Sequence, residues 1–397
     1  TLTVFLHAYI TGFMGDMIEI NARFSTGHLK VMTKAYADDA QQLPNDLALV
    51  GLDSILTGLG NRFPDVVWSP RIQFGGLIDA PDENGETKVQ GPAIGLGIDL
   101  LSPGSMEPER LNLAASIVRG ELPKVRGEAL ISDLLSVKLG VSPGDRVTLI
   151  SSTMYGGMTI YNFIVSGTIS MGQEVLDRGT IIADIEDVRS ALNMEDAASE
   201  ITGFFRTGFY NDYLALEYSE RYNASQNDNN DRFAPVMKSL SMQGSMGTYV
   251  NMSKSWSTYI SMIFILAMSL VLWNAGLLGG LRRYGEVGIR LAIGEEKGHV
   301  YRSMITESVM VGITGSVLGT LLGLFFAYLM QKYGLHIGDM MKGSSIMMPE
   351  AIKARITPVD FYLGFFPGVI STVIGTMLSG IGIYKRQTAR LFKELEA

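Results

Sequence analysis

The sequence contains no cysteine and few charged residues. Of its 397 residues, 18% are charged and 47% are hydrophobic, whereas soluble domains carry about 25% charged residues. The lack of cysteine excludes a disulfide framework, a thiolate metal site and a cysteine nucleophile. The net charge of -8 argues against a nucleic-acid partner, because binding phosphates requires a basic surface.

Motifs of nucleotide and hydrolase chemistry are absent as well. The sequence has no Gly-x-x-x-x-Gly-Lys-[Ser/Thr] loop, no Gly-x-Ser-x-Gly and no His-Glu-x-x-His. Its four histidines, His7, His28, His299 and His336, are scattered along the chain. We therefore predict no catalytic residue and no metal ligand, and an enzyme with a membrane anchor has no catalytic constellation to support it.

Three long uncharged runs predict membrane-spanning helices. They cover residues 255–281, 308–331 and 361–384, and each is long enough to cross a hydrocarbon core of about 30 Å. Residues 1–23 are interpreted as a first membrane helix with its stalk, whose cytoplasmic start is missing; an amphipathic helix lying on a surface is the alternative. No ionisable side chain lies within the three complete spans, so an ion-coupled transporter lacks its usual intramembrane carboxylate.

The positions of Lys and Arg predict the orientation of these spans. Residues 282–307 and the tail 385–397 are rich in cations, which places both in the cytoplasm. Residues 24–235 then form an external core domain, 236–281 a stalk and second span, 308–331 the third span, 332–360 an external loop and 361–384 the fourth span. Strands predicted at 145–151, 161–170 and 179–184 alternate with helices at 46–59 and 128–139. The fold class is a membrane α-helical bundle of four transmembrane helices with a large mixed α+β domain between helices 1 and 2.

The pattern Glu286-x-Gly288-x-x-x-Ala292-x-Gly294 lies in the cytoplasmic segment. It closely resembles the cytoplasmic element of FtsX-like and MacB-like ABC permeases. Segments 24–31, 95–99, 118–120, 127–131, 143–147 and 167–169 are similar to the periplasmic core of the lipoprotein-releasing (LolC/LolE-type) permeases. The tail of that family commonly contains prolines, whereas residues 384–393 of this chain contain none.

The resemblance implies a permease subunit in the bacterial inner membrane with its large domain in the periplasm. It would pair with a second permease, identical or homologous, and with two ABC ATPase subunits that bind ATP and Mg, so this chain itself binds no cofactor. The implied work is extraction of lipoproteins from the inner membrane, aided by a periplasmic chaperone or adaptor. Two alternatives stay open: a mechanotransmitting exporter with a periplasmic adaptor and outer-membrane channel, and an FtsX-like signalling permease that activates cell-wall hydrolases.

Three sets of candidate site residues follow. The residues expected to contact the ATPase are Arg282, Arg283, Glu286, Val287, Ile289, Arg290, Leu291, Gly294, Glu295 and Lys297. The glycines expected to pack helices closely are Gly312, Gly315, Gly319, Gly323, Gly364 and Gly368. The residues expected to contact the acyl chains of the lipoprotein are Phe5, Leu6, Phe13, Met17, Met242, Met246, Ile260 and Phe264. Simple packing of the stalk helices against each other is the alternative for this last set.

Overall fold

The computed structural model describes residues 1–81, 86–171, 174–226, 231–336 and 351–385. These residues fall into two compact units. The helical unit contains residues 1–16, 251–336 and 351–385, and the sheet domain contains residues 17–250. Of the tail predicted to be cytoplasmic, residues 386–397 lie outside the described residues, as do residues 337–350 of the predicted external loop.

Helices and short strands alternate through the chain. The helices are α1 Leu2–Asn21, α2 Lys34–Asp38, α3 Leu52–Arg62, α4 Glu107–Arg110, α5 Leu113–Ser116, α6 Asp133–Leu139, α7 Glu174–Asp177, α8 Ile185–Leu192, α9 Asp212–Asn223, α10 Met246–Arg282, α11 Tyr284–Ala292, α12 Lys297–Tyr333, α13 Asp360–Leu363 and α14 Thr372–Lys385. The strands are β1 Leu29–Thr33, β2 Leu49–Val50, β3 Val66–Pro81, β4 Thr87–Ile98, β5 Ile117–Gly120, β6 Glu128–Ser132, β7 Arg146–Ser152, β8 Met158–Ile169, β9 Thr180–Asp184, β10 Ala197–Ala198, β11 Glu200–Phe205, β12 Pro235–Ser239, β13 Leu335–His336 and β14 Ala351–Ile352.

A ten-stranded mixed sheet forms the centre of the sheet domain. Its strands run in the order β12-β1-β11-β3-β4-β9-β6-β8-β5, and β7 pairs with both β3 and β8. The long strand β3 joins the two halves, because residues 66–71 pair with β11 and residues 72–81 pair with β4. The β4–β9 and β6–β8 pairs are parallel. Leu and Ile side chains from α3, α6 and α8 pack on the buried face and close a large apolar core.

The three predicted strands are present as β7, β8 and β9, but two predicted helices are wrong in their first halves. Residues 128–132 form strand β6, because Ala129, Leu130 and Ile131 are all buried between neighbouring strands. The helix predicted from residue 46 begins only at Leu52, after the left-handed Gly51. Continuous burial on both faces of a strand removes the alternation by which strands are recognised.

Three helices of the helical unit are long and apolar enough to cross a membrane. They cover Met246–Gly280, Lys297–Tyr333 and Asp360–Ile381. Large apolar side chains on these helices, such as Met262, Leu266, Leu318 and Phe325, are more than half exposed. A lipid-facing surface requires such side chains. Helix α1 is not among these candidates, so the fourth span stays a prediction.

A stripe of small residues on α12 packs against other helices of this unit. Gly312, Ser316, Thr320, Gly323 and Ala327 are all buried, and their spacing of three or four residues places them on one helix face. A Cβ atom at Gly312 would lie 2.9 Å from Thr372 Oγ1, and one at Gly323 would lie 2.9 Å from Val4 Cβ. The stripe therefore seats α14 and the N-terminal part of α1.

The other predicted packing glycines differ in how closely neighbouring helices approach them. A Cβ at Gly364 would lie 2.7 Å from Thr320 Oγ1, and one at Gly368 would lie 2.1 Å from Ser316 Oγ, so both are packing positions. Gly319 is close only to Thr1, at 3.2 Å. A Cβ at Gly315 would meet no neighbouring helix within 4 Å, so within the chain the packing face follows Gly312 and Ser316, and close packing at Gly315 stays a prediction.

The last span is irregular around Pro367. Residues Phe366–Ser371 form a π-helical segment that contains Pro367 and leads into α14. Proline lacks the N–H that would bond to the preceding turn, and its ring displaces the carbonyl there. The helix type therefore changes at Pro367.

Candidate functional site

Helix α11 lies in the segment predicted to be cytoplasmic and is anchored by one apolar face. Val287 is buried and Leu291 half-buried, and both pack with Val300 and Met304 of α12. The spacing of four residues puts Val287 and Leu291 one above the other on the same side of the helix. Helix α11 is therefore fixed to the base of α12, which also carries the small-residue stripe.

The opposite face of α11 is apolar but exposed. Ile289 is 55% exposed and Ile293 is 80% exposed, and they are four residues apart. Arg290 lies beside them and is partly exposed. A short helix that needed only solvation would not carry two exposed isoleucines, so this face has the composition of a surface that another protein covers.

Gly294 ends α11 in a geometry that favours glycine. Its φ is +98°, a region that residues with a Cβ adopt only with strain. The N–H of Gly294 donates to Leu291 O at 3.2 Å, and the N–H of Glu295 donates to Arg290 O at 3.1 Å. These two bonds form a Schellman motif, in which the residue after the helix reverses the chain. The spacing of Gly294 after Ala292 in the sequence pattern is explained by this turn.

Ion pairs around α11 are exposed. Arg283 pairs with Glu307 of α12, and this hydrogen bond raises the pKa of the Arg283 guanidinium. Arg290 Nη2 lies 3.3 Å from Glu286 Oε1, and His299 Nε2 lies 3.6 Å from Glu295 Oε1. Such surface pairs each contribute about 0–1 kcal/mol.

The remaining predicted contacts are the exposed Arg282, the last residue of α10, and Lys297, the first residue of α12. Apolar packing of α11, rather than these charges, holds the element.

The N-terminal part of α1 packs on α12 and the last span. Val4 contacts Gly323, and Ala8 packs with Ala327 and Ala354. His7 Nδ1 lies 2.7 Å from Oδ1 of Asp360, whose side chain is fully buried. The hydroxyl and the N–H of Thr357 both donate to Asp360 Oδ2, at 2.9 and 2.7 Å. No sequence motif marks the partner of His7, Asp360, which directly precedes the last uncharged run.

The C-terminal part of α1 is bound to the sheet domain by a buried pair. Glu19 Oε2 and His28 Nε2 are 2.9 Å apart, and both residues are less than a tenth exposed. The N–H of Phe205 donates to His28 Nδ1 at 3.1 Å, so Nε2 carries the ring proton and donates to Glu19. The N–H of Tyr210 donates to the other oxygen of Glu19.

A buried arginine holds the next turn of the chain. Arg71 is fully buried; its Nε donates to Glu107 Oε2 at 2.9 Å, and its Nη1 donates to the carbonyl of Arg23 at 2.7 Å. Arg23 lies in the π-helical turn Ala22–Thr26 that follows α1. Together with Glu19–His28, this contact forms what we call the α1 joint: Glu19, His28, Arg71 and the Arg23 carbonyl. Its residues are far apart in the sequence, and no motif marks them.

The predicted acyl-chain residues are distributed over both units. Phe5 is half-buried beside Ala8 and Ala327, whereas Met246 packs with Ile18 and Leu240 in the sheet domain. Leu6, Phe13, Met17, Ile260 and Phe264 are half-buried, and Met242 is 47% exposed. At Met246 the stalk-packing alternative therefore describes the contacts. Acyl-chain contact by this set stays a prediction.

No group of three or more His, Asp or Glu side chains in the described part of the chain is placed to hold a metal ion. The prediction that the chain binds no cofactor stays a prediction.

Residues 258–388 match the family model described as FtsX-like permease C-terminal, and this stretch contains α11, α12, α13 and the described part of α14. The predicted resemblance to FtsX-like and MacB-like permeases is confirmed. The closer resemblance to lipoprotein-releasing permeases stays a prediction.

Curated relatives match shorter stretches. The chain is 35% identical over 75 residues to the "Macrolide export ATP-binding/permease protein MacB" of Sodalis glossinidius (strain morsitans), covering 18% of this chain and 12% of that protein. Proteins of the same name match at 28% identity over 111 residues in Bordetella avium (strain 197N), covering 27% of this chain and 17% of that protein. In Salmonella choleraesuis (strain SC-B67) the identity is 30% over 118 residues, covering 26% of this chain and 18% of that protein. The matches thus span less than a fifth of these relatives.

Among solved structures, the periplasmic region of MacB from Actinobacillus actinomycetemcomitans aligns with a TM-score of 0.38 at 11% identity, covering 59% of this chain and 95% of that chain.

Proposed function

We propose that this chain is the membrane subunit of an ABC transporter and that the exposed face of α11 contacts the ATPase. The observation that carries this proposal is the division of α11 into a buried face on Val300 and Met304 and an exposed face with Ile289 and Ile293. A protein that pushes on the exposed face moves α12, because the buried face couples the two helices. The match of residues 258–388 to an FtsX-like permease supports the same assignment.

In this proposal, motion of α12 is transmitted through a series of packed contacts. Motion of α12 reaches α1 through Val4 against Gly323 and Ala8 beside Ala327. Helix α1 continues without a break to Asn21, where the α1 joint binds it to the sheet. Coupling through rigid helices and buried polar contacts needs no substrate channel through the bundle. We therefore propose a mechanical transmission from cytoplasmic ATP hydrolysis to the sheet domain, in the inner membrane with the sheet domain in the periplasm.

A pair of such subunits is part of this proposal. ABC ATPases act in pairs, and symmetric assemblies are the default for such complexes. A single α11 offers one exposed face, so two permease copies, identical or homologous, would meet the two ATPase subunits. Four spans per subunit, with α1 as the first, complete the proposed bundle.

Two kinds of transport are compatible with this mechanism, lipoprotein release and export. Lipoproteins are the cargo that the resemblance to the lipoprotein-releasing permeases implies, with a periplasmic chaperone as acceptor. Export with a periplasmic adaptor is favoured by the similarity to proteins named as macrolide exporters. Purification of the complex with its ATPase, followed by mass spectrometry, separates them: a bound lipoprotein supports release, and an adaptor of the export type supports the second.

The coupling proposal is tested by changing α11 while leaving the helix in place. The double variant Ile289→Ser with Ile293→Ser removes the exposed apolar face, and we expect it to lower co-purification of the ATPase at least tenfold, since buried interface side chains of this size contribute about 1–2 kcal/mol each. Charge reversal at Arg290 and replacement of Gly294 by Leu should abolish cargo-stimulated ATPase activity.

The matched control is Arg221→Glu, which reverses an exposed arginine on α9 of the sheet domain. It should leave ATPase binding and stimulation unchanged. If the α11 variants are inserted normally and retain cargo-stimulated ATPase activity like the control, α11 is not the contact.

A further inference from the structure

A cavity of about 670 Å³ lies on one face of the sheet, within the sheet domain. Its floor is built by side chains of five consecutive strands, β1, β11, β3, β4 and β9. The residues of α1 and the following turn, 20–26, and residues 243–246 at the start of α10 form its walls. The proposed ATP coupling makes no use of this cavity.

The chemistry of the floor changes from one side to the other. On β1, β11 and β3 the floor is polar: Lys30 Nζ lies 2.6 Å from Glu200 Oε2, and Gln73 Nε2 donates to Glu200 Oε1 at 2.9 Å. On β4 and β9 it is apolar, with Ile94 paired opposite Thr180 and Leu96 opposite Ile182. Strands are spaced about 4.8 Å apart, so the floor extends about 19 Å from β1 to β9.

The polar side has no net charge to offer a ligand. Lys30 and Glu200 are both less than a tenth exposed and neutralise each other. A charged head group would have to be desolvated beside this pair without a free counter-charge, which is costly. The polar side therefore favours an uncharged group.

Two buried hydroxyls line the cavity wall. Thr26 Oγ1 makes no hydrogen bond among the described residues. The Tyr36 hydroxyl lies beside the Ser199 hydroxyl, which itself donates to Asn45 Oδ1 at 2.6 Å. Buried polar groups are nearly always paired, so an unpaired hydroxyl beside a cavity indicates a missing partner. Burial raises the pKa of the Tyr36 hydroxyl, which keeps it a hydrogen-bond donor.

We propose that this cavity binds a single-chain amphiphile with an uncharged, oxygen-bearing head group. The head accepts hydrogen bonds from Tyr36 and Thr26 on the polar side. The chain lies across β4 and β9 on Ile94, Leu96 and Ile182, with Phe24 and Met171 among the wall residues. Each methylene buried on this apolar side contributes about 0.8 kcal/mol.

The test uses the full chain in phosphatidylcholine nanodiscs without the ATPase, so its outcome does not depend on the coupling proposal. The probe is a monoacylglycerol with a photoreactive group in its chain, mapped by mass spectrometry. We expect labelling of residues 94–96 and 180–182, with competition by unlabelled monomyristoylglycerol at least tenfold stronger than by myristate or by a tetradecylammonium ion.

Ile94→Trp fills the apolar side and should reduce labelling at least fivefold. Its matched control is Ile160→Trp, an exposed isoleucine on β8 of the same sheet outside the cavity, which should label like the parent. Tyr36→Phe should weaken binding about two- to tenfold, the effect of one hydrogen bond. Equal labelling of the two tryptophan variants, labelling confined to residues 251–281 or 308–331, or equal competition by all three head groups would each overturn the proposal.

Discussion

The α1 joint and the coupling turn, by which we mean α11 with the ion pairs around it, both contain charged side chains. The two regions are built in opposite ways. In the joint, Glu19, His28 and Arg71 are buried, and their polar groups bond to partners inside the sheet domain. Around α11 the ion pairs Arg283–Glu307 and Glu286–Arg290 are exposed, and apolar packing holds the helix. The difference teaches that the C-terminal part of α1 is held firmly on the sheet, whereas the surface of α11 is free to adapt to the proposed partner.

The largest expected effect is loss of the joint. Glu19→Ala leaves His28 Nε2 and the Tyr210 N–H without an acceptor in a buried site, and we expect the free energy of unfolding of the sheet domain to fall by about 3 kcal/mol. Thermal unfolding of the purified chain, followed by circular dichroism, measures this. The control Glu121→Ala removes an exposed carboxylate paired with Lys124 and should change stability by less than about 0.5 kcal/mol.

Equal losses in Glu19→Ala and Glu121→Ala would contradict the comparison, because the two carboxylates would then be energetically alike despite their different burial.

A second prediction tests the small-residue stripe on α12. Gly323→Leu forces a side chain against Val4, whereas Gly315→Leu places the same side chain where no atom lies within 4 Å. We expect Gly323→Leu to destabilise the helical unit by about 1–3 kcal/mol and Gly315→Leu to leave it unchanged. Resistance of the purified protein to unfolding in detergent checks both variants.

Gly315→Leu has a further use. Because Gly315 is exposed in the single chain, loss of dimer mass in this variant alone would place the exposed face of α12 around Gly315, and not the stripe, between two subunits. Equal sensitivity of both variants in the monomer would show that the packing face is not the one described.

The smallest effect is expected at the coupling turn. Arg283→Gln removes the exposed pair with Glu307, and stability should fall by about 0–1 kcal/mol, less in high salt. Thermal unfolding at low and high ionic strength measures it. A loss as large as that of Glu19→Ala would mean that the turn is held by its charges, against the contrast between the two regions.

The sequence predicted the elements whose signal is local. Uncharged runs marked the three apolar spans, because a hydrocarbon core tolerates few charges over that length. The pattern from Glu286 to Gly294 marked the segment that contains α11, and its last glycine lies in a left-handed turn that favours glycine. Strands β7, β8 and β9 were recognised from β-branched residues bounded by turns.

Tertiary structure alone decided what depends on distant partners. Residues 128–132 became a strand because β8 and β9 pair with both of its edges and its two faces lie in separate apolar clusters. Gly312 and Gly323 meet neighbouring helices within the chain, whereas Gly315 does not. The pairs His28–Glu19, His7–Asp360 and Lys30–Glu200 join residues up to 353 positions apart. Hydrophobic period and glycine spacing follow from neighbouring residues, whereas the partner of a buried charge is fixed only when the sheet order and helix contacts bring two side chains together.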